Sequence, residues 1–371
     1  MIDQIKHFIN AATEPKLFLP FIVIIFFFVF PPTDRLFNLN RKLKLQNIWT
    51  NTGALVMFAF LLIFFAFGIT DPNFRNIVTK PDNVPIVGLI FLTVFFLWLS
   101  MKQAAENDAR TGAGKPPKEA DDKEKVLVWP DLVYIEFICL IVCAAFLIIW
   151  SIYLKAPLEQ PANPSISPNP SKAPWYFLGL QEMLVYFDPW LAGVVFPSVI
   201  IFGLMCIPYI DNNPKGSGYY SFAERKMAIS IFLFFWLVLW IFLIIVGTFL
   251  RGPNWNFFGP FEYWDVHKLG ALTNINLSEL IYMKLLHRGL PSNILLREAG
   301  GFILLIGYFG ILPLLFAKTI LKKIYESLGS NRYSIFIVLL LMSAGLPIKM
   351  FLRWAFNIKY IVAIPEFFFN I

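Results

Sequence analysis

The sequence predicts an all-α integral membrane protein, with about eight transmembrane helices and a short amphipathic helix on the outer face. Three observations carry this. Of its 371 residues, 58% are hydrophobic and 18% aromatic but only 15% charged, and the mean hydropathy of +0.65 is too high for a soluble domain of this length. The apolar residues fall in long runs separated by short polar loops. Between two of these runs, Ser171 to Trp190 repeats Trp175, Gly179, Glu182 and Tyr186 at spacings that share one helical face, opening at Pro174 where a first helical turn tolerates proline.

In chain order, Glu14-Pro15-Lys16 precedes the first apolar run, so no cleaved leader is expected. Leu17 to Phe30 is a short first span that stops at Pro31 and Pro32, and Arg35 to Lys44 is a basic surface helix. Trp49 to Ile69 and Pro85 to Met101 follow as spans. Lys102 to Lys125 mixes glycine, proline and charges of both signs, a composition that favours a disordered linker. Further spans are predicted at Leu132 to Leu154, Trp190 to Ile210, Met227 to Leu250, from Ala299 onward, and at Tyr333 to Ile348, followed by an aromatic, interfacial tail. The expected units are an N-terminal three-helix unit (1–101), a cytoplasmic linker (102–125), a core (126–250), an outer aromatic loop (251–298), and two further helices with the tail (299–371).

Lysine and arginine density sets the orientation. Loops 31–48, 102–131, 211–227 and 318–332 hold 17 basic residues in 80 positions, against 12 in about 120 for the alternate set. The first set is expected to be cytoplasmic, with both termini and the Trp175 helix outside. The formal charge of +7 is thereby explained by anionic headgroups rather than nucleic acid. Cys139, Cys143 and Cys206 lie in apolar runs without Cys-x-x-Cys spacing and read as buried structural thiols.

Lys172-Ala173-Pro174-Trp175-Tyr176-Phe177-Leu178, lying before a span that carries Leu191-Ala192-Gly193-Val194, resembles the quinol-oxidation loop of cytochrome b. The resemblance is to that protein's C-terminal half, a separate subunit IV in some complexes, and covers about Leu132 to Leu250. Pro208 to Pro214 and Arg251 to Asp265 resemble a bacterial branch. The first three spans have no such counterpart. The family pattern Pro-Glu-Trp-Tyr is altered, because Ala173 and Pro174 stand where proline and glutamate are usual.

The resemblance implies an outer-face quinone site built from Pro174, Trp175, Tyr176, Leu178, Gly179 and Tyr186, with quinol or quinone as a shared cofactor. Either a replacement acid accepts the proton or the quinol site has lost its function. Glu182, two turns after Trp175, is the candidate, and burial beside Trp175 and Tyr186 is expected to raise its pKa. The alternative is that Glu182 faces water or pairs with a partner; Glu159 and Asp188 are weaker candidates. Glu136, one turn inside the fourth span, is either a proton-handling carboxylate or one that reaches the interface.

The family's two haems need four histidines on facing helices, whereas this chain has only His7, His267 and His287, none within a span. No haem is therefore expected on this chain alone. His267 and His287 belong to the outer loop as solvent-facing or hydrogen-bonded residues, or as ligands to a neighbour's haem. Trp255, Phe257, Phe258, Phe261, Tyr263 and Trp264 read as an interfacial belt or a docking surface. No metal-ligand spacing, phosphate-binding glycine loop or nucleophile triad is found.

The reading that results is a haem-free subunit of a cytochrome bc-type quinol oxidoreductase in a bacterial inner membrane, not catalytic alone. Its expected partners are lipid, a haem-bearing cytochrome b chain, and an iron–sulfur protein or c-type cytochromes. A purely structural anchor for redox subunits is the alternative. A transporter requires more embedded charge or matching halves, and the sequence has neither.

Overall fold

A computed structural model describes residues 2–371 except 123, 157–160, 162, 166, 214–217, 269 and 271–272. Seven helices are long and apolar enough to cross a bilayer: α4 (Asn51–Ile69), α6 (Val84–Gly112), α8 (Val128–Tyr153), α10 (Leu191–Ile210), α11 (Lys226–Leu250), α12 (Ala299–Lys318) and α13 (Lys322–Phe356). An eighth crossing is made if α1 (Ile2–Ala12) and α2 (Pro15–Val29), bent by 76° to each other, count as one span. Among the shorter helices are α3 (Asp34–Lys42), α5 (Pro72–Val78), α7 (Lys118–Asp121) and α9 (Leu178–Met183). The protein is a multi-pass α-helical membrane protein.

Each bend has a local cause. Pro15 opens α2, where its missing N–H costs nothing. Asp71 caps α5 by accepting from Asn73 N at 2.9 Å and Phe74 N at 3.2 Å, and it pairs with Lys6 Nζ at 2.6 Å. Burial raises the Asp71 pKa, but Lys6 and the two N–H groups outweigh it and hold the carboxyl below its ordinary range. Gly329, at φ 72°, breaks α13 into a short surface helix and a crossing helix.

Polar contacts sort the loops onto two ends. At one end Asp34 meets Lys226 at 2.8 Å and Lys323 at 3.7 Å, Asn107 bonds Tyr220 O, and Asn212 bonds Ser327 O. At the other end lie Lys6–Asp71, Asn10 with Phe261, Glu182 with Arg251, and Asp188 with Tyr360. This is the alternation of the two loop sets distinguished by basic-residue density.

Several expectations change. The stretch after residue 101 is not a disordered linker at its start, because α6 continues to Gly112. Asn107 is 1% exposed and bonds Glu119, Tyr220 O and Lys118 N at 2.7 to 2.8 Å, long-range partners that replace the missing apolar burial. Cys139 and Cys143 are exposed on α8 rather than buried, and Cys206 is half-buried, so these thiols face lipid or a partner. The aromatic loop is not a belt: Phe258 and Phe261 are buried, Tyr263 is well exposed, and Trp255, Phe257 and Trp264 are half-buried. The tail is folded as well. β1 (Ile275–Asn276) pairs in parallel with β2 (Ile358–Tyr360), and β3 (Ala363–Ile364) pairs antiparallel with β4 (Phe369–Asn370). It lies so close on α12 that a Cβ at Gly301 would stand 2.2 Å from Ile361 O.

Candidate functional site

The site forms where the loop before α10 crosses α11. Pro174 leads into a 3₁₀ turn, Trp175–Phe177, closed by Phe177 N donating to Pro174 O at 2.8 Å, and α9 follows. Gln181 ties the incoming strand to the helix, accepting from Ala173 N and donating to Ser171 O, both at 2.8 Å. α9 presses on α11 so closely that a Cβ at Gly247 would lie 3.2 Å from Leu178 O. This contact buries Leu178, Gly179, Glu182 and Met183.

Beyond α11 the chain reverses. Gly252, where a Cβ would lie 2.7 Å from Phe258, lets the backbone fold back so that Phe258 N donates to Leu250 O at 2.9 Å. Asn254 and Trp255 take left-handed conformations, at φ 57° and 56°. Asn169 bonds both the backbone and the side chain of Asn254, at 2.6 and 3.0 Å, and so docks the stretch before the site onto this turn.

The reversal aims Arg251 at Glu182. Nε donates to Oε2 at 2.9 Å and Nη2 to Oε1 at 2.6 Å, while Nη1 donates to Trp255 O at 3.0 Å. Tyr186 Oη donates to Glu182 Oε1 at 2.7 Å and accepts from Trp354 Nε1 at 3.2 Å. The guanidinium lies 5.1 Å from the Trp354 ring centre. Glu182 is 0% and Arg251 1% exposed. Burial lowers the Arg251 pKa, but the Glu182 carboxylate outweighs it and holds the guanidinium charged. Burial, reinforced by Glu182, pushes the Tyr186 hydroxyl well above its ordinary range.

Lys172 stands beside this pair, with Nζ 2.8 Å from Thr248 O and 4.8 Å from the Trp264 ring centre. It makes no ion pair among the described residues. Desolvation, with the charges of Lys80 and Arg251 assisting against Glu182, brings its pKa down to about 7. An amine so placed is divided about equally between its protonated and neutral forms near neutrality. Reductive methylation with labelled formaldehyde, read by NMR, is expected to show a methyl-lysine signal titrating near 7 that is absent from the Lys172→Arg variant. If every signal titrates near 10, the amine is solvated and this account of Lys172 fails.

The expected quinone-site residues separate onto two surfaces. Leu178, Gly179 and Tyr186 are buried against α11, while Pro174, Trp175 and Tyr176 are exposed. Phe177 joins the exposed set, its ring 4.7 Å from that of Tyr176. Trp175 and Glu182 therefore do not present one surface, and Glu182 faces neither water nor an open cavity. Among the described residues, the hollow beside Tyr186, Phe257 and Trp354 holds about 10 Å³, far below the ~300 Å³ of a small-molecule pocket. Among the described residues, this hollow does not enclose a quinone ring.

Asp188 Oδ2 accepts from Asn370 at 3.0 Å and Tyr360 Oη at 3.3 Å, so it holds the tail onto the site. Glu159 lies outside the described residues. Glu136 is exposed on α8 with no ion-pair or hydrogen-bond partner among the described residues, and no residue of the apolar stretch of α8 is buried. Among the described residues no three histidine, cysteine or acidic side chains converge as a metal site. Arg251 and Trp354 were missed by sequence reasoning. The available signal for Arg251 was a basic residue ending an apolar span directly before Gly252-Pro253, with no acid nearby in sequence.

Fold and composition thus define a multi-pass helical membrane protein in which a fully buried acid–base pair, the single one among the described residues, welds α9 to the end of α11. Residues 161–261, which contain both partners of that pair, match the cytochrome b (C-terminal)/b6/petD family. Over this stretch, 101 of 371 residues, the chain is similar to a cytochrome b C-terminal or subunit IV-like domain. No solved structure matches the chain.

Proposed function

We propose that this protein is a haem-free membrane subunit of a cytochrome bc-type quinol oxidoreductase and supplies one wall of an outer-face quinol-oxidation site. The observation that carries the reading is that the family match, 161–261, spans both the Trp175 turn and the Arg251 reversal that fixes it. Trp175, Tyr176 and Phe177 offer an aromatic edge that only a neighbouring chain can close into a pocket. α8, exposed along its length, offers that neighbour a helix to pack on. Bound quinol would supply two electrons and two protons. The electrons pass to partner-held haem or iron–sulfur centres, while Lys172, and Glu182 once its bonds to Arg251 open, are the groups beside the Trp175 turn that would receive a proton. The partners are a haem-bearing cytochrome b and an iron–sulfur protein or c-type cytochromes, in a bacterial cytoplasmic membrane.

A second reading, a structural anchor without a working quinone site, is favoured by the closed Glu182–Arg251 pair and the small hollow beside it. One experiment separates the two. The native complex is isolated through a tag on this chain and treated with a photoreactive quinone. Co-purifying haem chains with label on residues 174–186 are the expected result. An intact haem-bearing complex with no label there leaves the anchor reading. A haem spectrum that follows the chain expressed alone would refute the haem-free assignment.

A further inference from the structure

At the end opposite the Glu182 pair, a cavity of about 470 Å³ opens between α3, the last turns of α6 and the 222–223 turn. Its volume falls in the range of small-molecule sites. The walls are aromatic on one side, where Phe37 stacks on Phe222 with ring centres 6.0 Å apart and Trp49 is 6% exposed. The polar groups are unusual in what they do not do. Arg41 and Gln46 have no hydrogen-bond or ion-pair partner among the described residues. Asn40, 3% exposed, spends its Nδ2 on Phe28 O and Val29 O, and its Oδ1 accepts from no described residue. Asp108 accepts from Phe222 N at 3.2 Å and Ala223 N at 2.9 Å but pairs with no described cation.

The cavity therefore presents an unpaired cation and an unpaired anion that do not pair with each other. Arg41 is exposed, so water answers its charge until an anion displaces that water, whereas half-buried Asp108 is answered, among the described residues, only by the two backbone N–H groups. We propose that this cavity binds the headgroup of a zwitterionic aminophospholipid, with the phosphate on Arg41 and the primary ammonium on Asp108. Each Asp108 oxygen takes one backbone N–H and keeps a lone pair for an ammonium donor. The Arg41 fork suits a phosphate, and Gln46 and Asn40 are placed to meet the remaining ester and ammonium groups. Phe37, Trp49 and Phe222 then flank the glycerol and the start of the acyl chains. Arg35, Lys42 and Lys44 are exposed on the same interfacial segment without acidic partners among the described residues, and draw anionic phosphate to it.

The test is lipid retention by the purified full chain, in nanodiscs of equal parts phosphatidylethanolamine, phosphatidylglycerol and phosphatidylcholine, read by native mass spectrometry after mild delipidation. One phosphatidylethanolamine retained with about tenfold preference is expected. Arg41→Gln, a change at an exposed residue, should abolish retention of every class. Asp108→Asn should erase the preference for phosphatidylethanolamine while the protein still holds a phospholipid. Equal retention of the three lipids by the unaltered protein, a preference for phosphatidylglycerol, no retained lipid, or an Arg41→Gln variant that retains phosphatidylethanolamine as before would each overturn the proposal. If Asp108→Asn fails to fold, the Arg41→Gln result and the headgroup preference of the unaltered protein decide it.

Discussion

Replacing Arg251 with methionine is expected to cost the fold about 3–5 kcal/mol, a larger loss than any other single change at this site. The cost comes less from the attraction lost than from what remains. Glu182, 0% exposed, would keep a buried charge with Tyr186 Oη as its single remaining donor. Arg251 also ties the reversal through Trp255 O and covers the Trp354 ring, so the 251–258 turn and the end of α13 should loosen together. The measurement is the denaturation midpoint of the purified protein in detergent, set beside the double variant Arg251→Met/Glu182→Leu. Because the double variant buries no stranded charge, it should recover much of the loss. A single variant that costs under about 1 kcal/mol, or a double variant no better than the single, would show that the pair is not the clamp the geometry implies.

The parts of the structure that sequence makes legible are those governed by a local rule. A crossing helix needs about 20 apolar residues in succession, and α4, α6, α8, α10 and α11 each announce themselves that way. Lys172 to Leu178 was legible as a resemblance, and the family match falls on that stretch. What was not legible depends on partners distant in sequence. The ordering of residues 102–112 hangs on Asn107 reaching Tyr220, 113 positions away. Helical spacing alone put Glu182 on the surface shared with Trp175. The structure separates them because α9 lies down on α11, burying Glu182 against Arg251, while the preceding 3₁₀ turn leaves the Trp175 ring outside. The tail misled for the same reason. Its aromatic content reads as interfacial, yet Val362 is 0% exposed because it packs on a glycine 61 positions earlier, Gly301.

If Glu182 turns out of its pair with Arg251 to reach the quinol, Glu182→Gln in the assembled complex is expected to lower quinol oxidation by about 10²- to 10⁴-fold, the usual worth of a positioned proton acceptor. The substitution keeps the shape and leaves an amide oxygen to accept from Arg251 and Tyr186, but it cannot take up a proton at neutral pH. Oε2 is the oxygen to protonate, since it carries the single bond from Arg251 Nε at 2.9 Å, whereas Oε1 accepts from both Arg251 Nη2 and Tyr186 Oη. Arg251 need not leave its place when that bond opens, because Trp255 O and the Trp354 ring still hold it. A merely structural glutamate would also tolerate glutamine poorly, so fold and chemistry must be read separately. Turnover is counted per intact complex across pH, with Glu182→Asp as the conservative control. The proton-acceptor role predicts that glutamine removes the acidic limb of the pH profile and that aspartate retains it. The anchor role predicts reduced complex yield for glutamine, with wild-type turnover and pH profile in whatever complex survives; that result would remove Glu182 from the chemistry and leave the pair with Arg251 as its whole function.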